Sequence, residues 1–109
     1  MTSAPLKSSL TPAARRLVEL MQRINFGTIE DLPVRRGQPV LDPLPRYVTE
    51  VKFGGENGAR PELMAPDFPL KAQVVELIRR LADLGDGTVA ALEIKHGIPF
   101  RMLLTSPPR

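Results

Sequence analysis

Gly27-Thr28-Ile29-Glu30-Asp31-Leu32-Pro33-Val34-Arg35-Arg36-Gly37-Gln38-Pro39-Val40 lies without a gap on Gly87-Thr88-Val89-Ala90-Ala91-Leu92-Glu93-Ile94-Lys95-His96-Gly97-Ile98-Pro99-Phe100. Both stretches share the Gly-Thr start, a Leu at the sixth position, a basic pair or Lys-His, then Gly and Pro. β-Branched residues fill the early positions, and Gly37 and Gly97 supply the positive φ that a tight hairpin turn demands. A supersecondary unit written twice constrains the architecture before any function is considered.

Working outward, each stretch follows an apolar segment with helical spacing. Leu17, Leu20, Met21 and Ile24 fall at i, i+3, i+4 and i+7, one face of a helix. Thr11-Pro12 is a start signal, because Thr caps orphan N–H groups and Pro at the first helical position gives up no bond. Asn25 and Gly27 stop the helix, since both tolerate left-handed backbone. In the second unit Leu70, Val74, Leu77, Ile78 and Leu81 form the stripe, Asp67 is the expected cap with Pro69 in the first turn, and Gly85 and Gly87 end the helix.

The first hairpin is expected over 28–35 and 38–41, the second over 88–95 and 98–104. Pro39 has no N–H for a ladder, so its nitrogen must face away from the partner strand. Pro43-Leu44-Pro45 breaks the strand, and residues 46–53 resume with alternation as a third strand, with Tyr47, Thr49, Val51 and Phe53 on one side. The order α-β-β-β-loop-α-β-β predicts an α+β domain, an antiparallel sheet with two helices on one face. It reads as a tandem duplicated αββ unit about a pseudo-two-fold axis, the fused form of a dimer, with Leu20 matching Leu77 and Gly37 matching Gly97. Residues 1–10 read as a disordered tail, 11–53 and 67–104 as the two repeats of a single domain, 54–66 as the joining loop, and 105–109 as a tail.

The first half resembles a family of very short bacterial helix–hairpin proteins. The matching residues are Leu17-Val18-Glu19-Leu20, Phe26-Gly27-Thr28-Ile29, Arg36-Gly37-Gln38-Pro39-Val40 and Glu50-Val51-Lys52-Phe53. The second unit departs from it, with Asp86-Gly87 in place of Phe-Gly. The resemblance implies the αββ architecture and carries no activity.

Composition narrows the chemistry. With no Cys there are no disulfides, thiolate zinc sites or cysteine nucleophiles. A single His leaves carboxylates as the route to any metal site. His96 has no triad partner visible in the sequence, Gly54–Gly58 lacks the Lys-Ser/Thr of a phosphate loop, and Glu19 and Glu76 are accounted for by i, i+4 pairing with Arg23 and Arg80. No enzymatic activity, cofactor or metal is therefore expected. No apolar run approaches a membrane span and the N-terminus lacks an apolar h-region, which makes the expected location cytoplasmic.

A net charge of +3 permits a polyanionic partner. The equivalent turns Arg35-Arg36-Gly37 and Lys95-His96-Gly97 could grip two stretches of duplex phosphate backbone, extended by Arg15 and Arg16. Phe26 and Phe100 are expected in the core. Of the remaining Tyr47, Phe53 and Phe68, only Tyr47 and Phe53, on the third strand, could stack bases, which favours a duplex over a single strand. The competing expectation is a protein–protein adaptor or accessory subunit that docks a partner through the third strand or the inter-repeat loop.

Overall fold

The computed structural model describes residues 10–51, 53–54 and 71–105. It is α+β, with two helices and a curled antiparallel sheet. In chain order the elements are α1 (Pro12–Ile24), β1 (Gly27–Arg35), β2 (Gln38–Pro39), β3 (Tyr47–Thr49), α2 (Ala72–Leu84), β4 (Gly87–Lys95) and β5 (Ile98–Leu104). α1 and α2 each have 13 residues, β1 and β4 each have nine, and both pairs start 60 residues apart, at 12 and 72 and at 27 and 87.

Local chemistry sets the boundaries. The Thr11 hydroxyl accepts the Ala14 N–H at 3.2 Å, and Pro12 takes the first helical position. The same hydroxyl donates to Gln38 Oε1 at 2.5 Å, which ties the start of α1 to β2. α1 ends at Asn25, with φ 66° and ψ −58°. The Phe26 N–H bonds to the Ile24 carbonyl at 2.8 Å, a three-residue γ-turn that reverses the chain into β1. α2 ends at Gly85 in a similar backbone conformation, with φ 72° and ψ −88°. It starts at Ala72 with Lys71 as a cap that makes no side-chain bond, and not at Asp67. A proline disfavours helical backbone in the residue before it, so Pro69 weakens the signal at Asp67; Asp67, Pro69 and Leu70 lie outside the described residues.

β1 and β4 form the middle of the sheet, in the order β2-β1-β4-β5, with β3 also on β1. Gly27 pairs with Ile94, Ile29 with Leu92, Leu32 with Val89 and Val34 with Gly87. Arg35–Gln38 closes the first two-residue turn, so the next pair, Val34–Pro39, is of the type without mutual hydrogen bonds. The Pro39 nitrogen therefore faces outward, as expected, and the ladder resumes with the Val40 N–H on the Pro33 carbonyl at 2.9 Å.

The expected third strand is shorter than its alternation suggests, with pairing confined to Tyr47–Thr49. It shares one edge of β1 with β2, since β4 holds the other. The two short strands are one edge strand interrupted by residues 40–46. The interruption carries Leu41 into the core, where it is 4% exposed.

One hydrophobic cluster takes Leu17, Val18, Leu20, Met21 and Ile24 from α1 and Val74, Leu77 and Leu81 from α2, with Ile29, Leu32, Val34, Val89, Leu92 and Ile94 beneath. Ile29 and Leu32 are three apart yet both fully buried. The facing Val89 and Leu92 are spaced and buried alike, and Asp31, at φ 51°, departs from strand backbone between Ile29 and Leu32 and is itself exposed. Ile78 of the expected stripe is only half-buried against the cluster. Because both helices start 60 residues apart, the position matching Leu77 is Leu17 and not Leu20. The Glu76–Arg80 pair therefore falls on Arg16 and Leu20, not on Glu19 and Arg23.

Candidate functional site

Both hairpin turns have positive φ at two successive residues: Arg36 53° and Gly37 75°, His96 55° and Gly97 74°. This is the type I′ geometry that matches strand twist, and it favours Asn, Asp or Gly at the first position. Arg36 and His96 sit there instead.

The turn backbones are docked. The Gly37 N–H bonds to the Gly85 carbonyl at 2.7 Å and the Gly97 N–H to the Asn25 carbonyl at 2.9 Å. Each turn thus closes on the end of the other half's helix, where C-terminal carbonyls lack helical partners. The Arg36 N–H adds a bond to Asp86 Oδ1 at 3.0 Å. Gly37 and Gly97 are buried, while Arg35, Arg36, Lys95 and His96 are exposed.

The four cationic or titratable side chains do not form one patch. β1 and β4 are antiparallel, so the turns stand at opposite ends of the pair, about 30 Å apart at ~3.3 Å per residue. The Thr11–Gln38 bond sets the N-terminal end of α1 beside the first turn. Arg15, half-buried, and Arg16, exposed, therefore lie toward the end that carries Arg35 and Arg36. At the other end Lys95 Nζ lies 4.0 Å from the centre of the Phe100 ring, and His96 meets Phe26 edge-on at 4.9 Å. Phe100 is 60% exposed, against the expectation that it is a core residue. Its strand is the last in the sheet order, and among the described residues no element beyond it covers the ring.

The sheet edges form the larger surface. On the β3 edge Tyr47, Val48 and Val51 are exposed, and Phe53 is 99% exposed. On the β5 edge Phe100, Leu103 and Leu104 are exposed. Beside β5 runs a groove of about 300 Å³, lined by Glu76, Leu77 and Arg80 of α2 and by Phe100, Met102 and Leu104. Sequence reasoning passed over this groove. The available signal was the run Ile98-Pro99-Phe100-Arg101-Met102-Leu103-Leu104, which is more apolar than a strand with one wet face requires.

Charges along these surfaces are largely matched. Arg46 Nε lies 3.3 Å from Glu30 Oε1, Arg80 3.5 Å from Glu76, and Arg101 Nε donates to Glu93 at 2.7 Å. Among the described residues no group of three His, Cys, Asp or Glu side chains is placed to hold a metal ion, and no helix is long and apolar enough to cross a membrane. The loop expected over residues 54–66 lies outside the described residues, apart from Gly54. No protein-family model, curated protein or solved structure matches this chain.

Proposed function

We propose that this chain is a non-enzymatic protein-binding module, an adaptor or accessory subunit that docks a partner by strand addition at an exposed sheet edge. The observation that carries the reading is the β3 edge, where Val48, Val51 and Phe53 stand exposed beside backbone that, among the described residues, pairs on one side only. Such an edge offers main-chain bonds for affinity and apolar side chains for selection. The test is affinity capture after nuclease treatment, followed by amide exchange on the complex. Val48→Lys should abolish capture of the partner, and binding should protect the Tyr47–Thr49 amides. Capture that Val48→Lys leaves untouched would sink the reading.

A second reading is duplex nucleic-acid binding, and one observation favours it. An Arg occupies the first position of a type I′ turn, a place where Asn or Gly costs less. Unfavourable backbone retained at an exposed residue points to function. Arg35→Ala with Arg36→Ala should flatten the log-affinity against log-salt slope by roughly two units. A labelled duplex titrated at several salt concentrations decides it, and no binding at low salt removes this reading.

We also propose that the two αββ halves arose by tandem duplication and are related by a pseudo-two-fold axis between β1 and β4. Three observations support this. Helix and strand starts repeat at the 60-residue offset. The pairing of Gly27 with Ile94 becomes that of Gly87 with Val34 when the halves are exchanged. The turn-to-helix bonds, Gly37 to Gly85 and Gly97 to Asn25, exchange in the same way.

A further inference from the structure

The two outer edges of the sheet are built differently, and the difference indicates what covers one of them. In the first half the edge strand breaks after Pro39, and Leu41 joins Leu17 in the buried core before β3 resumes. In the second half β5 runs unbroken from Ile98 to Leu104 with no counterpart of Leu41. At the corresponding place lies the groove, lined by Leu77 and Leu92, which are 60 residues beyond Leu17 and Leu32. The first half fills this position with Leu41 from the break in its edge strand, and among the described residues nothing in the second half fills it.

We propose that the β5 edge and its groove are covered by β5 of a second copy, antiparallel about a two-fold axis through Met102. Lys95–Ile98 closes the second turn, and a register shift lies between Glu93 and Ile94. Beyond that shift the alternation of pairs directs the Met102 N–H and carbonyl away from β4, toward the open edge. Centred there, Phe100 of each copy stands opposite Leu104 of the other, an aromatic–aliphatic cross-strand pair made twice. Pro99 limits pairing to the residues that follow it.

Charge agrees with this occupant. Glu76 and Arg80 border the groove on successive turns of α2. A two-fold axis sets Glu76 of one copy against Arg80 of the other, so the surface is its own complement, as an isologous interface requires. Arg101 is already matched by Glu93. The proposal extends strand addition, argued above for the β3 edge, to the opposite edge and does not depend on a partner at β3.

Light scattering behind size exclusion, over a concentration series, should give a mass near twice 12.0 kDa that falls on dilution. Glu76→Arg and Arg80→Glu should each weaken association by about tenfold or more, since each sets like charges face to face. An equal mixture of the two variants should recover it, because each chain then supplies the other's missing sign. Leu104→Asp should give a monomer whose circular dichroism matches that of the parent, and Val48→Lys, on the opposite edge, should leave the mass unchanged. A dimer that survives Leu104→Asp, or charge variants that the mixture does not restore, overturns the pairing. A monomer at every concentration also overturns it; if capture of a partner still depends on Val48, the docking reading stands without it.

Discussion

Gly27 and Gly87 hold the same place in the two repeated stretches, yet the structure gives them different neighbours. A Cβ on Gly27 would meet the Val48 carbonyl oxygen at 2.0 Å and Ile24 at 2.8 Å, because β3 crosses there. A Cβ on Gly87 would meet only the flexible end of Leu84, at 3.2 Å. Backbone cannot step aside as a side-chain tip can. Gly27→Ala should therefore destabilise the fold by about 2 kcal/mol or more, the scale of overpacking in a filled site. Gly87→Ala should stay within about 0.5 kcal/mol, as substitutions away from such constraints do. Denaturant midpoints of the two variants check this, and equal midpoints would mean that β3 does not crowd Gly27. Gly37 combines both constraints, with φ 75° and the Ala82 Cα at 2.9 Å from a built Cβ. Its glycine is required by close approach as much as by turn type.

At the scale of elements, the helices are equal in length but not in how they begin. α1 has a capping hydroxyl that also reaches Gln38, whereas α2 starts at Lys71 with no side-chain cap bond. An unsatisfied first turn loses stability that a short polar side chain restores. Thr11→Ala should cost about 1 kcal/mol, and Lys71→Asp should add about 0.5 to 1 kcal/mol, with Asp also favoured by the helix dipole. Thermal melts of both variants test the pair of signs. The result that contradicts the assignment is a Lys71→Asp protein that melts below the parent. The strands show a matching inequality, since β5 pairs along most of β4 while β2 and β3 divide the corresponding edge of β1.

At the scale of the molecule, the halves are bound crosswise. β1 lies on β4, each turn closes on the helix of the other half, and one cluster takes side chains from both. Neither half completes its own helix ends or core, so opening one should expose the other. Native-state hydrogen exchange should find the Ile29, Leu32, Val89 and Leu92 amides exchanging only by global unfolding, while the Tyr47–Thr49 and Leu103–Leu104 amides exchange by local opening. Separate global exchange energies for the β1 and β4 amides would contradict this crosswise assembly.

The sequence by itself determined both helices, both hairpins, their turns and most of the buried stripe. Those features follow from local signals: the helical spacing of Leu17, Met21 and Ile24, the β-branched residues that open both repeated stretches, and glycine at a turn that needs positive φ. Only the tertiary structure decided that the turns stand at opposite ends, that Gly97 caps Asn25, that Leu41 fills a core position and that Phe100 does not. Each of these depends on a neighbour tens of residues away. A one-dimensional pattern records how much apolar surface a residue offers, and the three-dimensional packing determines which surface receives it. The separation of the two basic turns was decided in the same way: antiparallel pairing of β1 with β4 sets the similar turns at opposite ends of the sheet.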